Sequence, residues 1–236
     1  FTTVKGVVKR TPVQEFANIR SNGLNAITLK DDDELIGVTI TDGQQNVIIG
    51  THDGYAVSFD ETTVRSMGRT ASGVRGIRLR DDDFVIGFDI LKPDSKVFII
   101  TEKGYGKQTP AVDYPIKGRG GKGIKTANVT EKNGHLAGLT TVDGQEDIMV
   151  MTNQGVMIRF NIATVSQTGR ATLGVRLIRL DDDGKVATMA KVDPEPEVDD
   201  TKSTDAAGET STVDATGDAD AATETTTTTD STDLNE

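Results

Sequence analysis

Four short segments carry the residue types from which an anion site is built, arginine or lysine set among glycines. They are Ile19-Arg20-Ser21-Asn22-Gly23, Gly68-Arg69-Thr70-Ala71-Ser72-Gly73, Gly118-Arg119-Gly120-Gly121-Lys122-Gly123 and Gly169-Arg170-Ala171-Thr172-Leu173-Gly174. Glycine permits tight turns and close approach of the backbone to a ligand, and exposed backbone N–H groups can form an anion-binding nest. Arg119 and Lys122 would add phosphate contacts. The closing glycines, Gly23, Gly73, Gly123 and Gly174, are 50, 50 and 51 residues apart. A lone glycine-rich turn needs no explanation beyond a positive φ. Four in register, each with an arginine, make a row of positive charge that suits a curved polyanion. The sequence offers no packing need for a basic residue at that place.

The elements that must position these corners keep the same period. Gly6, Gly54, Gly104 and Gly155 recur, and so do Asp31-Asp32-Asp33, Asp81-Asp82-Asp83 and Asp181-Asp182-Asp183, with Glu131-Lys132-Asn133 in the remaining copy. A fixed period of this length marks a propeller or solenoid. Short runs rich in β-branched residues, bounded by turn residues, predict strands over 35–40, 47–51, 55–59, 74–79, 84–90, 97–101, 105–109, 124–129, 136–142, 148–152, 156–160, 175–180 and 186–192. Asp53-Gly54, Lys103-Gly104 and Gln154-Gly155 are hairpin turns between such runs. Only 12–16, 61–65, 110–114 and 162–166 could hold a helical turn. The expected fold is all-β and propeller-like, with one four-stranded sheet in each of about four repeats of about fifty residues. Each corner is an exposed connection on one rim.

Other chemistry is scarce. Gly118 to Gly123 matches G-x-G-x-x-G formally, but that motif must open a helix, and a strand follows here. The phosphate-loop pattern fails because Ile124 stands where its lysine belongs. The aspartate triplets lack EF-hand spacing and read as solvated turns. Tyr55 and Tyr105 interchange with Val7 and Val156, which argues for packing. His52 and His135 share no repeat position and have no carboxylate or serine partner in the sequence. No nucleophile–base pair and no metal-ligand cluster is evident, so no catalytic residue and no metal site is expected.

Charge divides the chain. The net charge is −11. From Pro194 onward there are 13 acids and one base, Lys202, so residues 1–193 carry 25 bases against 24 acids. Large apolar residues nearly vanish in 194–236, so this segment cannot offset the entropy of ordering and is expected to be a disordered acidic tail. Tethered to a basic rim, it would either compete there with a polyanion or serve only as a solubilising appendage. Residues 1–193 are expected to form one repeat domain. The absence of cysteine excludes disulfides, and no apolar run approaches the length of a membrane span. Phe1 to Arg10 looks like the middle of a repeat, so further repeats are expected upstream.

These corners resemble the C-terminal domain of the bacterial DNA gyrase A subunit. The residues that carry the resemblance are Arg119-Gly120-Gly121-Lys122-Gly123, Gly68-Arg69-Thr70-Ala71, Gly169 through Arg176, Thr101 through Lys107 and Phe16 through Arg20. The resemblance covers nearly all of 1–193 and none of the tail. It implies a β-pinwheel whose blades exchange strands, with a basic outer rim that bends and wraps duplex DNA. Arg20, Arg69, Arg75, Lys117, Arg119, Gly120, Gly121, Lys122, Gly123, Lys125, Arg170 and Arg176 would be the DNA-binding residues.

The resemblance also implies a cytoplasmic, nucleoid-associated A2B2 enzyme, a type IIA topoisomerase that introduces negative supercoils. The gyrase B subunit would hydrolyse ATP and the N-terminal part of the gyrase A subunit would carry the cleavage tyrosine, with ATP and magnesium on those other domains, so no cofactor is expected in this chain. Two departures stand out. The chain holds four repeats rather than about six. Its nearest match to the signature box Gln-Arg-Arg-Gly-Gly-Lys-Gly, Lys117 to Gly123, falls in the third repeat rather than the first. The C-terminal domain of the topoisomerase IV A subunit is the neighbouring alternative, and a protein-binding propeller is a more distant one. The low aromatic content, 4%, counts against the latter.

Overall fold

The computed structural model describes residues 1–181 and 183–194. The proposed tail, except for Pro194, and Asp182 lie outside the described residues.

Among the described residues, fifteen strands form four antiparallel sheets, or blades. Blade 1 runs from its outer to its inner edge as β6 (Val74–Arg75), β2 (Val7–Val8), β1 (Thr2–Thr3) and β3 (Leu35–Gly37). Blade 2 is β10 (Ile124–Lys125), β5 (Tyr55–Asp60), β4 (Asn46–Thr51) and β7 (Val85–Ile90). Blade 3 is β14 (Val175–Arg176), β9 (Tyr105–Pro110), β8 (Lys96–Thr101) and β11 (Leu136–Val142). Blade 4 has three strands, β13 (Met157–Asn161), β12 (Asp147–Thr152) and β15 (Val186–Val192). Among the described residues the only helical pieces are single 3-10 turns at Val13–Phe16, Glu61–Thr63, Ala111–Asp113 and Ile162–Thr164, where the sequence left room for them.

Consecutive blades pack through their inner strands, β3 on β7, β7 on β11 and β11 on β15. Strand side chains alternate between faces, so a strand between two neighbours needs apolar residues on both. In β4, Ile48 enters the core shared with blade 3, while Ile49 enters the one shared with blade 1. In β8, Ile99 and Phe98 divide in the same way. This is why Val47-Ile48-Ile49 and Val97-Phe98-Ile99-Ile100 are unbroken apolar runs rather than alternating ones. At the hub the strands approach closely. A Cβ on Gly87 would lie 2.6 Å from the Leu139 carbonyl oxygen.

The expectation of one four-stranded sheet per repeat is corrected. The outermost strand of each of blades 1 to 3 comes from the following repeat: β6, β10 and β14 pair with β2, β5 and β9. These strands are also shorter than expected, two residues instead of six. After two rungs the chain folds over the neighbouring hairpin turn. The N–H groups of Gly76 and Ile77 both point at Gly6 O, those of Thr126 and Ala127 at Gly54 O, and those of Leu177 and Ile178 at Gly104 O. Ile77, Ala127 and Ile178 are then buried in the inter-blade cores. Their apolar runs reflect plugging rather than strand pairing.

Two of the three aspartate triplets, 31–33 and 81–83, are likewise more than solvated turns. Asp33 and Asp83 are buried. The Asp33 carboxylate accepts from Lys5 N and Glu34 N, both at 2.9 Å, and that of Asp83 from Asp53 N at 3.0 Å and Phe84 N at 2.9 Å. Each therefore clamps the hairpin turn of its own blade. Asp32 and Asp82 take left-handed φ values of 59° and 62° to make the turn.

Candidate nucleic-acid interface

Strand exchange decides where the corners sit. Corners 2, 3 and 4 (68–73, 118–123 and 169–174) each lead into an outermost strand, so they line the outer edge of blades 1, 2 and 3. Corner 1 is 19–23. All four closing glycines have positive φ, 77°, 89°, 74° and 81° in chain order. A Cβ on Gly73 would lie 2.6 Å from Val8 O, on Gly123 2.8 Å from Ala56 O, and on Gly174 2.7 Å from Gly106 O. Here glycine is required twice over, by dihedral and by space.

The corners are joined to one another. Arg69 Nη1 donates to Asn25 O at 3.3 Å, Arg119 Nη1 to Arg75 O at 3.1 Å, and Arg170 Nη1 to Lys125 O at 3.1 Å. Asn25, Arg75 and Lys125 each stand two residues past the preceding closing glycine. In the return direction the N–H groups of Thr28, Arg78 and Asn128 donate to Ala71 O, Gly121 O and Thr172 O. The expectation that the corner arginines lack a packing role is thus corrected: each bolts its corner to the one before. Arg119 also donates through Nε to Thr63 O at 2.9 Å. A guanidinium has five donors, so these bonds orient the group and leave others for a ligand.

The structure therefore brings Arg75 beside Arg119 and Gly120, and Lys125 beside Arg170. Lys117, Lys122, Gly121 and Gly123 border a cavity of about 190 Å³ beneath corner 3. Lys117, Arg119, Lys122, Arg75, Lys125 and Arg176 are exposed, while Arg69 and Arg170 are half-buried. Arg20 is exposed on corner 1 and is not bonded to another corner. Arg176 Nη2 donates to the Tyr105 hydroxyl at 2.9 Å, and Arg80 lies 3.2 Å from the Tyr55 ring centroid while donating to Lys122 O at 2.9 Å. The two tyrosines thus support rim arginines as well as packing.

Two lysines were missed from sequence. Lys9 and Lys107 stand three residues past the hairpin glycines Gly6 and Gly104, where the other repeats have Val57 and Ile158. Both are buried. Lys107 Nζ donates to Gly169 O at 2.7 Å, to Arg170 O, and to the Thr172 hydroxyl at 3.1 Å. Burial, with the nearby Arg170 charge, lowers its pKa to about 8. Lys9 Nζ donates to Ala26 O at 2.5 Å and to Arg69 O. Its pKa is also lowered, by burial first and by Arg69 second. A lysine on a three-residue offset in half the repeats was the available sign.

One further cluster corrects an expectation. His52 and His135 stack at 4.3 Å with rings 5° from parallel, and the Asp53 carboxylate lies 3.1 Å from His135 Nδ1 and 3.8 Å from His52 Nδ1. The histidines do have a carboxylate partner. Metal ligation needs in-plane lone pairs converging on one point about 2.0–2.1 Å away, whereas stacked parallel rings direct theirs side by side.

The fold and the rim define a class, a bladed β-repeat protein with a continuous row of basic, glycine-rich corners on its outer edge. The family described as DNA gyrase C-terminal domain, beta-propeller, matches at residues 1–42, 45–92, 95–143 and 146–193, one match per repeat. The DNA gyrase A subunit of Streptococcus pyogenes serotype M1 is 64% identical over 195 residues, 83% of this chain and 24% of that protein. The DNA gyrase A subunit of Staphylococcus aureus (strain MRSA252) is 51% identical over 208 residues, 86% of this chain and 24% of that one. The chain therefore spans about a quarter of the length of these relatives.

Among solved structures, the C-terminal domain of DNA topoisomerase IV superposes with a TM-score of 0.78 at 26% identity, covering 82% of this chain and 61% of that one. The DNA gyrase A C-terminal domain gives 0.73 at 24% identity, covering 81% and 64%. The chain belongs to the DNA gyrase C-terminal domain family. Among the described residues no helix is long and apolar enough to cross a membrane.

Proposed function

We propose that this chain binds duplex DNA along its outer edge through phosphates, without reading bases, and bends it from blade to blade. The observation that supports this most is the corner-to-corner linkage, in which Arg69, Arg119 and Arg170 fix successive basic corners as one row. No recognition helix is present among the described residues to enter a major groove. A duplex touching several corners must curve, at a cost of several kcal/mol that deformable sequences reduce. In the whole protein the wrapped segment would be presented for strand passage. An A2B2 gyrase in the bacterial cytoplasm would then introduce negative supercoils, with ATP and magnesium bound by other domains and none here.

The test is end-to-end energy transfer across a labelled duplex of about 40 base pairs, long enough to bend measurably. Transfer should rise at saturation, and affinity should fall steeply with salt for all sequences alike. Binding without a change in transfer would remove the bending. A second reading, the C-terminal domain of a topoisomerase IV working in decatenation, draws on the superposition with that enzyme's domain. The sequence identity to gyrase over most of the chain favours the first.

A further inference from the structure

Corner 4 differs from an ordinary exposed turn in where its carbonyls go. Gly169 O and Arg170 O turn inward onto the Lys107 ammonium, Thr172 O onto Asn128 N, and Leu173 O onto Asn133 Nδ2. With Thr172 Oγ1 as its third acceptor, the ammonium has used all three donors inside the protein. The peptide bonds here are trans. In a trans peptide the N–H lies opposite the C=O. When Gly169 O and Arg170 O face a buried cation, the N–H groups of Arg170 and Ala171 must therefore face away from it, toward the outside. Among the described residues neither N–H donates to any other group. Two adjacent outward N–H groups without internal partners form an anion nest. The peptide dipoles aligned behind them have their negative ends neutralised by a buried charge.

We infer that Arg170 N and Ala171 N form a binding site for a phosphate oxygen and that Lys107, which cannot touch the ligand, positions and charges it from beneath. Corner 2 carries half of such a nest, Thr70 N, turned outward because Arg69 O is held by Lys9, while Ala71 N donates to Gly68 O. The assignment deepens the DNA-binding reading and rests on it for the source of the phosphate. The same nest would accept an oxygen of inorganic phosphate or of a DNA backbone.

The charged group bearing on Lys107 is the Arg170 guanidinium, on the corner itself. With a pKa near 8, the ammonium loses its proton as pH rises through that value, and the site weakens over the same range.

The experiment uses the 236-residue chain labelled with 15N, titrated with inorganic phosphate and, separately, with a duplex at constant ionic strength, on both sides of the Lys107 pKa of about 8. The Arg170 and Ala171 amide signals should shift on titration, and the shift should shrink as pH passes about 8. In Lys107→Met the shift should be lost, duplex affinity at neutral pH should drop roughly threefold to tenfold, the scale of one phosphate contact, and its pH dependence should flatten. Shifts with both titrants mean that any phosphate oxygen is accepted; shifts with duplex alone mean that only a presented phosphodiester is. Both outcomes support the site. Unmoved amides with either titrant, or shifts and pH dependence retained in Lys107→Met, overturn it. Should the variant fail to fold, the pH dependence of the wild-type amide shifts decides alone. A chain that binds no duplex but shows the amide shifts with phosphate would sink the DNA reading and keep the nest.

Discussion

Corners 3 and 4 share their length and a left-handed closing glycine, differ in that Gly120 takes a φ of 79° where Ala171 does not, and become positive in opposite ways. Corner 4 has no lysine in its loop and keeps a buried one below, Lys107. Corner 3 has Lys117 and Lys122 in its loop, and Val57 occupies the place below, beside a cavity of about 190 Å³. Among the described residues Gly118 O and Arg119 O, the counterparts of Gly169 O and Arg170 O, meet no ammonium. Corner 3 thus carries surface cations on flexible stems that would reach a phosphate directly. Corner 4 carries a fixed internal cation that would act through peptide dipoles. A sequence motif of lysine and arginine therefore marks only one of the two designs.

What the two corners share should break first. Gly123→Ala and Gly174→Ala force a left-handed alanine, at about 1–2 kcal/mol, and press a Cβ to within 2.8 Å and 2.7 Å of backbone oxygen. Each should destabilise the protein by roughly 2–4 kcal/mol, within the range of backbone strain and overpacking. Gly23→Ala meets nothing within 4 Å and should cost only the dihedral term. Thermal unfolding of the three variants measures this, and equal losses would show that space plays no part.

Loop cations come next. Lys117→Ala with Lys122→Ala should weaken binding to every duplex and flatten the salt slope by about 0.9 for every phosphate no longer neutralised. Stability should change little, because neither ammonium is hydrogen-bonded within the described residues. Arg119→Ala should lower both affinity and melting temperature, since it also unbolts corner 3 from Thr63 and Arg75. An unchanged slope in the double lysine variant would take corner 3 out of the interface.

The buried cation predicts opposite responses of stability and binding to pH. The folded-state pKa of Lys107, about 8, lies below its ordinary 10.5, so between those values the unfolded chain binds more protons than the folded one. Stability therefore rises with pH from about 8 to 10.5 and is reduced below that window, by at most about 3 kcal/mol. Lys9, shifted in the same direction, adds to it. DNA affinity should meanwhile fall as pH passes about 8. Denaturant unfolding about one unit on either side of that pKa checks the sign. A wild-type stability that declines over that interval, with Lys107→Met declining equally, would show that the ammonium is not held at a cost.

Much of this was legible from residues alone. The period, the four blades, the 3-10 turns and the turn glycines follow from local chemistry that repeats: β-branched runs, Asx turns and positive-φ positions. The corners as the exposed basic element were legible for the same reason. What escaped was non-local. An apolar run such as Val74 to Leu79 looks the same whether its side chains pair in a sheet or, like Ile77, plug the gap between two blades. The arginine bolts join residues 44 to 56 positions apart. Lys107 alternates with valine and isoleucine in the repeat, so periodicity made it look like a core position. It is one, but a core position whose ammonium finds three acceptors on the next repeat's corner.

The smallest expected effect is the most direct test of the two-design comparison. Val57 occupies the register of Lys9 and Lys107, and the cavity beneath corner 3 adjoins it. Val57→Lys should place an ammonium under Gly118 O and turn Arg119 N outward, as Lys107 turns Arg170 N at corner 4. Gly120 N already donates to Gly76 O, so corner 3 would gain half of the nest. Val57 is buried in the core between blades 1 and 2, so the change removes apolar packing and should cost about 1–3 kcal/mol of stability. Duplex affinity should nevertheless rise, by roughly twofold, since in the proposed interface corner 3 has Lys117 and Lys122 to reach phosphate and the half nest adds only part of one more phosphate bond. The gain should vanish above a pH of about 8 if the new lysine is buried as Lys107 is. A folded variant with unchanged affinity at neutral pH would mean that the cation beneath corner 4 works through features corner 3 lacks, Thr172 and Asn133 first among them.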